Sequence, residues 1–196
     1  MRRFTPRRPW VPLADAEWDA LAPFLTRAEG TPGRPLATPL RTRLDAMLRI
    51  ACTDAPWHAL PPGYGKGETV ARHFRRLAHA GLCARLLEAL ADPRCPPALR
   101  ALEYWLCRLA RRAMRLLGMA GLLLARRLGL LTALPMLPWL MPDPDLSARL
   151  LAQALYVMER LAYDRIRPAP GYLAALGRCI QAAGGRPVWS RRFAPP

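Results

Sequence analysis

Apolar residues recur along this chain at intervals of three and four almost from end to end, and almost nowhere at the period of two that a strand requires. From Ala14 to Leu25 one face carries Trp18, Leu21 and Leu25. Asp15 and Glu17 sit in the first turn, where carboxylates meet the positive end of the helix dipole. Residues 27–39, RAEGTPGRPLATP, are a loop by composition. Leu40 to Cys52 then sets Leu40, Leu44, Met47, Leu48 and Ala51 on a buried stripe, leaving Arg41, Arg43 and Arg49 for the other faces. After the connection DAPWHALPPGYGKG, Val70, Phe74, Leu77 and Gly81 form an apolar face, and Arg72, Arg75, Arg76 and His79 form the opposite one. Thr69 is the expected N-cap of this helix and Gly81 its expected terminator. Further on, Leu151, Ala154, Leu155, Met158, Leu161, Ala162 and Ile166 predict a helix with an ordinary buried stripe.

The fold class that follows is all-α. A helix-turn-helix-like N-terminal helical domain over residues 13–92 is preceded by a basic flexible arm (1–12). A Leu/Arg-rich helical extension (98–180) and a basic tail (181–196) follow it.

With 196 residues and 52% hydrophobic composition the chain has enough apolar material to fold. Charge changes the picture most: 30 Lys plus Arg against 14 Asp plus Glu gives +16 and a pI near 11.2, which points to nucleic acid or an anionic membrane surface as partner. Lys66 is the sole lysine, and arginine's planar fork of donors suits phosphate. Cys52, Cys83, Cys95, Cys107 and Cys179 are scattered, with no C-x-x-C pair and no His at zinc spacing. They read as free thiols of a reducing compartment, and no metal or other cofactor is expected. The opening MRRFTPRRPW leads into VPLADAEWDA rather than an apolar core, so no secretory signal is read there and the expected location is the bacterial cytoplasm, on the nucleoid.

The stretch Gly65-Lys66-Gly67-Glu68-Thr69 invites comparison with a phosphate-binding loop, but Leu60 stands where the earlier glycine belongs and Gly67 where the hydroxyl should be. Pro61 and Pro62 also occupy the place of the preceding strand. Neither a nucleotide site nor a small-molecule substrate is expected on these grounds.

From Leu13 to about Asp92, the order L-A-D-A-E-W-D-A-L-A-P-F-L, G-R-P, R-x-R-L-D-A-M-L-R-I, W-H-A-L-P-P-G-Y-G and T-V-A-R-H-F-R-R-L-A-H-A-G-L resembles the N-terminal domain of bacterial insertion-sequence transposases. The resemblance implies binding of transposon-end DNA. In that family the domain precedes an RNase-H-like nuclease with an Asp-Asp-Glu metal triad. Two departures stand out: Leu36 follows Gly33-Arg34-Pro35 where the family has a further arginine, and Gly67-Glu68 precede Thr69-Val70 where a Trp is common. The greater departure follows residue 91, where Asp92, Glu103, Asp143, Asp145, Glu159 and Asp164 fall on helices and turns rather than on strands. No catalytic residue is expected. The function that follows is a DNA-binding protein related to these transposases, truncated or domesticated and lacking the nuclease. Its candidate DNA-binding residues are Arg72, Arg75, Arg76 and His79 on the helix, Arg34 in the loop, and Arg2, Arg3, Arg7 and Arg8 in the arm.

For residues 98–141 two readings stand: packing on the N-terminal domain or on a second copy of the chain, or peripheral membrane contact. A spanning helix is disfavoured, because eleven leucines between 116 and 141 at about −0.5 kcal/mol each are offset by Arg126 and Arg127 at roughly +3 kcal/mol each. The rival function is accordingly a membrane-surface or helical interaction protein that uses the C-terminal half.

Overall fold

The computed structural model describes residues 3–25, 39–164 and 167–185. It is all-α. Among the described residues eight α-helices and four short 3-10 turns follow one another, and the sole extended pairing is an isolated bridge between Arg3 and Leu130.

The first helix, α1, spans Asp15–Leu25. Glu17 folds back to accept the Ala14 N–H at 3.0 Å, which satisfies one of the open amides of the first turn. Helix α2 (Leu40–Thr53) is the most enclosed element, with residues 43 to 48 all buried. Arg43, expected on a face other than the apolar stripe, is among them, so the burial of α2 extends beyond that stripe. Asp45 is buried as well and accepts the Leu13 N–H at 3.0 Å, tying the entry to α1 onto α2. The helix ends at Asp54 in left-handed backbone, a conformation aspartate tolerates better than most residues.

Two 3-10 turns, Trp57–Ala59 and Pro62–Tyr64, lead into α3 (Gly67–His79). This helix begins two residues before the expected Thr69 cap. Lys66 takes the cap position, its carbonyl accepting from the N–H groups of Thr69 and Val70, and Thr69 lies inside the first turn. Gly81 follows its end as expected, at φ +79, and the same residue opens α4 (Leu82–Ala91). A short α5 (Pro97–Ala101) precedes α6 (Glu103–Arg127), which is broken at Gly118 by non-helical backbone.

Helix α6 is the central post. It packs on α2, α3 and α4. One continuous apolar cluster joins Leu44 and Met47 of α2, Phe74 of α3, Leu86 and Leu90 of α4, and Trp105, Leu109 and Ala113 of α6. The Leu-rich stretch feeds the same cluster, since Leu122, Ala125, Leu130, Ala133, Leu134 and Met141 are all buried in it. Its hydrophobicity is thereby accounted for by the protein's own core. No described helix is long and apolar enough to cross a membrane.

Helices α7 (Pro144–Tyr163) and α8 (Tyr172–Ala183) pack on each other as a hairpin. Their junction with α6 is polar: buried Asp143 caps α7 by accepting the Leu146 N–H, donates its own N–H to Ala183 O at 2.8 Å, and lies 3.3 Å from the buried Arg126 guanidinium. The stripe expected to be buried on α7 is largely exposed. Val157 is the one buried residue of that helix, and Ile166, expected to end the stripe, lies outside the described residues.

Candidate nucleic-acid interface

Helix α3 divides cleanly into two sides. Val70, Ala71, His73, Phe74 and Ala78 are buried, Leu77 is half-buried, and Arg72, Arg75, Arg76 and His79 are exposed. At about 100° per residue these four side chains fall within an arc of about 100°. From Arg72 to His79 the axis advances roughly 10 Å, about three base-pair rises. The side chains of Arg72, Arg75 and Arg76 make no hydrogen bond or ion pair with any described residue. Glu68 stands four residues before Arg72 on the same side and forms no ion pair with it. The arginine face is therefore open to an anion from outside the chain.

The face is held in place from behind. The Trp57 ring packs on Phe74 with centroids 5.5 Å apart. On α6, the Arg112 guanidinium lies 4.8 Å from the centre of the same Trp57 ring and donates to Ala55 O at 3.2 Å. These contacts lock together the 3-10 turn before α3, α3 itself and α6.

The residues expected as a flexible arm lie along the start of α6. The Arg3 guanidinium holds Glu103 with two hydrogen bonds of 2.8 and 2.7 Å, and the Thr5 hydroxyl donates to the same carboxylate at 2.6 Å. Burial alone would raise the Glu103 carboxyl, but the bonds from Arg3 and Thr5 outweigh it and leave the group below its ordinary value. Arg8 donates to Glu17 at 2.6 Å and to Ala101 O at 2.9 Å, and its guanidinium lies 4.0 Å over the Trp105 ring. Arg3 and Arg8 thus have carboxylate partners within the chain. Arg7 is exposed and has none among the described residues. Arg2 and Arg34 lie outside the described residues, as does the basic tail from residue 186 onward.

Cations outside the expected DNA-binding set are also found at or near the surface. The Arg49 guanidinium of α2 lies 5.0 Å over the Trp10 ring and 5.9 Å from Tyr64, stacked but without a hydrogen-bond partner among the described residues. Arg115 of α6 is exposed. A cleft of about 430 Å³ is bordered by Arg7, Arg8, Trp10, Tyr104 and Arg108, with Asp54 bonded to Arg108 at its edge. The pairings of Arg49 with Trp10 and of Arg8 with Trp105 join distant parts of the sequence, so local spacing carries no trace of them.

Among the described residues no three of His, Cys, Asp and Glu come close enough to hold a metal ion. Most carboxylates after residue 91 are engaged separately: Glu103 with Arg3, Asp143 with Arg126, Asp145 with Arg127, and Asp164 with Arg160.

Neither a search of curated proteins nor one of solved structures returned a match. Residues 13–87, the span that carries α1, α2, α3 and the first part of α4, match the family model described as "Putative transposase of IS4/5 family (DUF4096)".

Proposed function

We propose that the protein binds DNA through the exposed face of α3, as a relative of insertion-sequence transposases that reads DNA without cutting it. The observation that carries this reading is the unpaired, exposed triplet Arg72, Arg75 and Arg76 on a helix whose other side is fixed in the core. Phosphate contacts of this kind supply most of the affinity of a basic protein for a duplex, and base edges in the major groove would be read by the same helix. The family match over residues 13–87 and the +16 charge support DNA as the polyanion. The separate arginine partners of Glu103, Asp143 and Asp164 support a structural role for these carboxylates. Association with the nucleoid follows from the same reading.

The experiment is a competition between two anionic surfaces. Purified protein is titrated with a labelled duplex by fluorescence anisotropy, and separately sedimented with vesicles of phosphatidylcholine and phosphatidylglycerol. Salt-sensitive duplex binding that is weakened by alanine at Arg72, Arg75 and Arg76 supports the reading. Vesicle binding without duplex binding contradicts it.

A further inference from the structure

Helix α7 carries two apolar stripes of the same length, and the described chain covers one of them. Leu150, Ala154, Val157 and Leu161, spaced four, three and four, are buried or half-buried and form the side packed within the hairpin and toward α6. One residue further round, Leu151, Leu155, Met158 and Ala162 repeat that spacing about 100° away. They are exposed: 58% for Leu151, 58% for Leu155 and 64% for Met158. No charged residue interrupts the second stripe.

This surface has the size of the apolar patches that are often functional. Side chains of this size at these exposures present on the order of 400 Å² of contiguous apolar area, the range in which a patch on a monomer marks an interaction site. One side of a standard protein interface buries about 800 Å², roughly 60% of it apolar, so the stripe alone brings about the apolar area that one partner contributes. A spacing of four, three and four is also the seam that lets two helices interlock side chains.

We propose that this stripe is the surface on which two copies of the chain associate, α7 against α7 about a twofold axis. The charges that α7 carries favour a protein partner over a polyanion or an anionic lipid surface. On α7 itself the charge nearest the stripe is Glu159, whereas Arg149 and Arg160 project from the far side of that helix, where they cannot flank a lipid-facing stripe. Each copy supplies the matching stripe at equal concentration. The hairpin is anchored to the body by Asp143 and Arg126, away from the stripe. No residue of α3 takes part, so association of two copies and DNA binding stand or fall separately.

Sedimentation velocity on the full chain tests it. Wild type is expected to shift from monomer to dimer mass between about 1 and 100 µM, and Leu155→Glu/Met158→Glu to raise the dissociation constant at least about tenfold. The milder Leu155→Gln/Met158→Gln pair is expected to act in the same direction, with helical circular dichroism unchanged in both. Arg149→Ala, on the far side, is expected to associate like wild type. A wild type that stays monomeric throughout, or stripe variants that dimerise as wild type does, overturns the proposal. So does a monomeric wild type that pellets with vesicles of phosphatidylcholine and phosphatidylglycerol through the stripe.

Discussion

The backbone of Gly67 lies against the carbonyl of Trp57 so closely that a β-carbon at residue 67 would stand 2.0 Å from Trp57 O. Glycine at the first position of α3 therefore serves to dock the helix under the preceding 3-10 turn, and the Gly-Lys-Gly sequence has a packing role there. Because the clashing atom is backbone, it cannot swing aside. Gly67→Ala is expected to destabilise the fold by about 1–3 kcal/mol in urea denaturation. Gly63→Ala, where nothing lies within 4 Å of the added carbon, is expected to change stability by no more than about 0.5 kcal/mol.

Asp143 joins three helix ends, accepting from Leu146 N, donating to Ala183 O and pairing with buried Arg126. Removing its carboxylate leaves the guanidinium buried without this counter-charge. Asp143→Ala is expected to cost about 3–5 kcal/mol. Asp143→Asn keeps an acceptor for the helix cap and is expected to cost less. Equal losses in the two variants, measured by chemical denaturation, would contradict these roles at the junction.

Two buried carboxylates shift in opposite directions and give opposite pH dependences. Glu103 lies below its ordinary value of 4.5, so its contribution is present above that pH and is lost as the pH falls through its lower folded value. Glu103→Gln is therefore expected to be destabilised relative to wild type at pH 7, with the gap closing in acid. Asp45 is raised, chiefly by burial, against the opposing bond from Leu13 N and the nearby Arg41. Its ionisation opposes folding at neutral pH, so Asp45→Asn is expected to be more stable than wild type at pH 7 and equal to it below about pH 4. Thermal melts of the three proteins across this range distinguish the slopes.

Burial pushes the thiols of Cys52, Cys83 and Cys107 up to about 12, and Cys95 is buried as well. Cys179 on α8 is exposed. A thiol-disulfide reagent at about pH 8 is expected to modify Cys179 quickly in the folded protein and the other cysteines on unfolding. Rapid reaction of Cys83 or Cys107 would contradict the packing of α4 and α6.

Much of the N-terminal fold was legible because each helix there is covered by its own neighbours. The stripe of Leu44, Met47, Leu48 and Ala51 predicted α2 to within one residue of its end, and the face of Val70, Phe74 and Leu77 predicted which side of α3 faces the core. The start of α3 was misplaced because no side chain caps it and Gly67 packs on the Trp57 carbonyl, a partner that lies outside the helix. The first residues read as a free basic arm because Glu103, which holds Arg3, is distant in sequence, and Glu17, which holds Arg8, belongs to the following helix α1. On α7, periodicity marked apolar faces correctly but carried no statement of what covers them.

Whether α3 presents its arginines to DNA is decided by the salt dependence of duplex binding. The log of the association constant is measured against the log of salt concentration for wild type and for the Arg72→Ala/Arg75→Ala/Arg76→Ala variant. If each arginine neutralises one phosphate, the variant's slope is expected to be shallower by about two to three units, with weaker binding at every salt concentration. An unchanged slope and affinity would contradict the assignment of α3 as the DNA-binding helix.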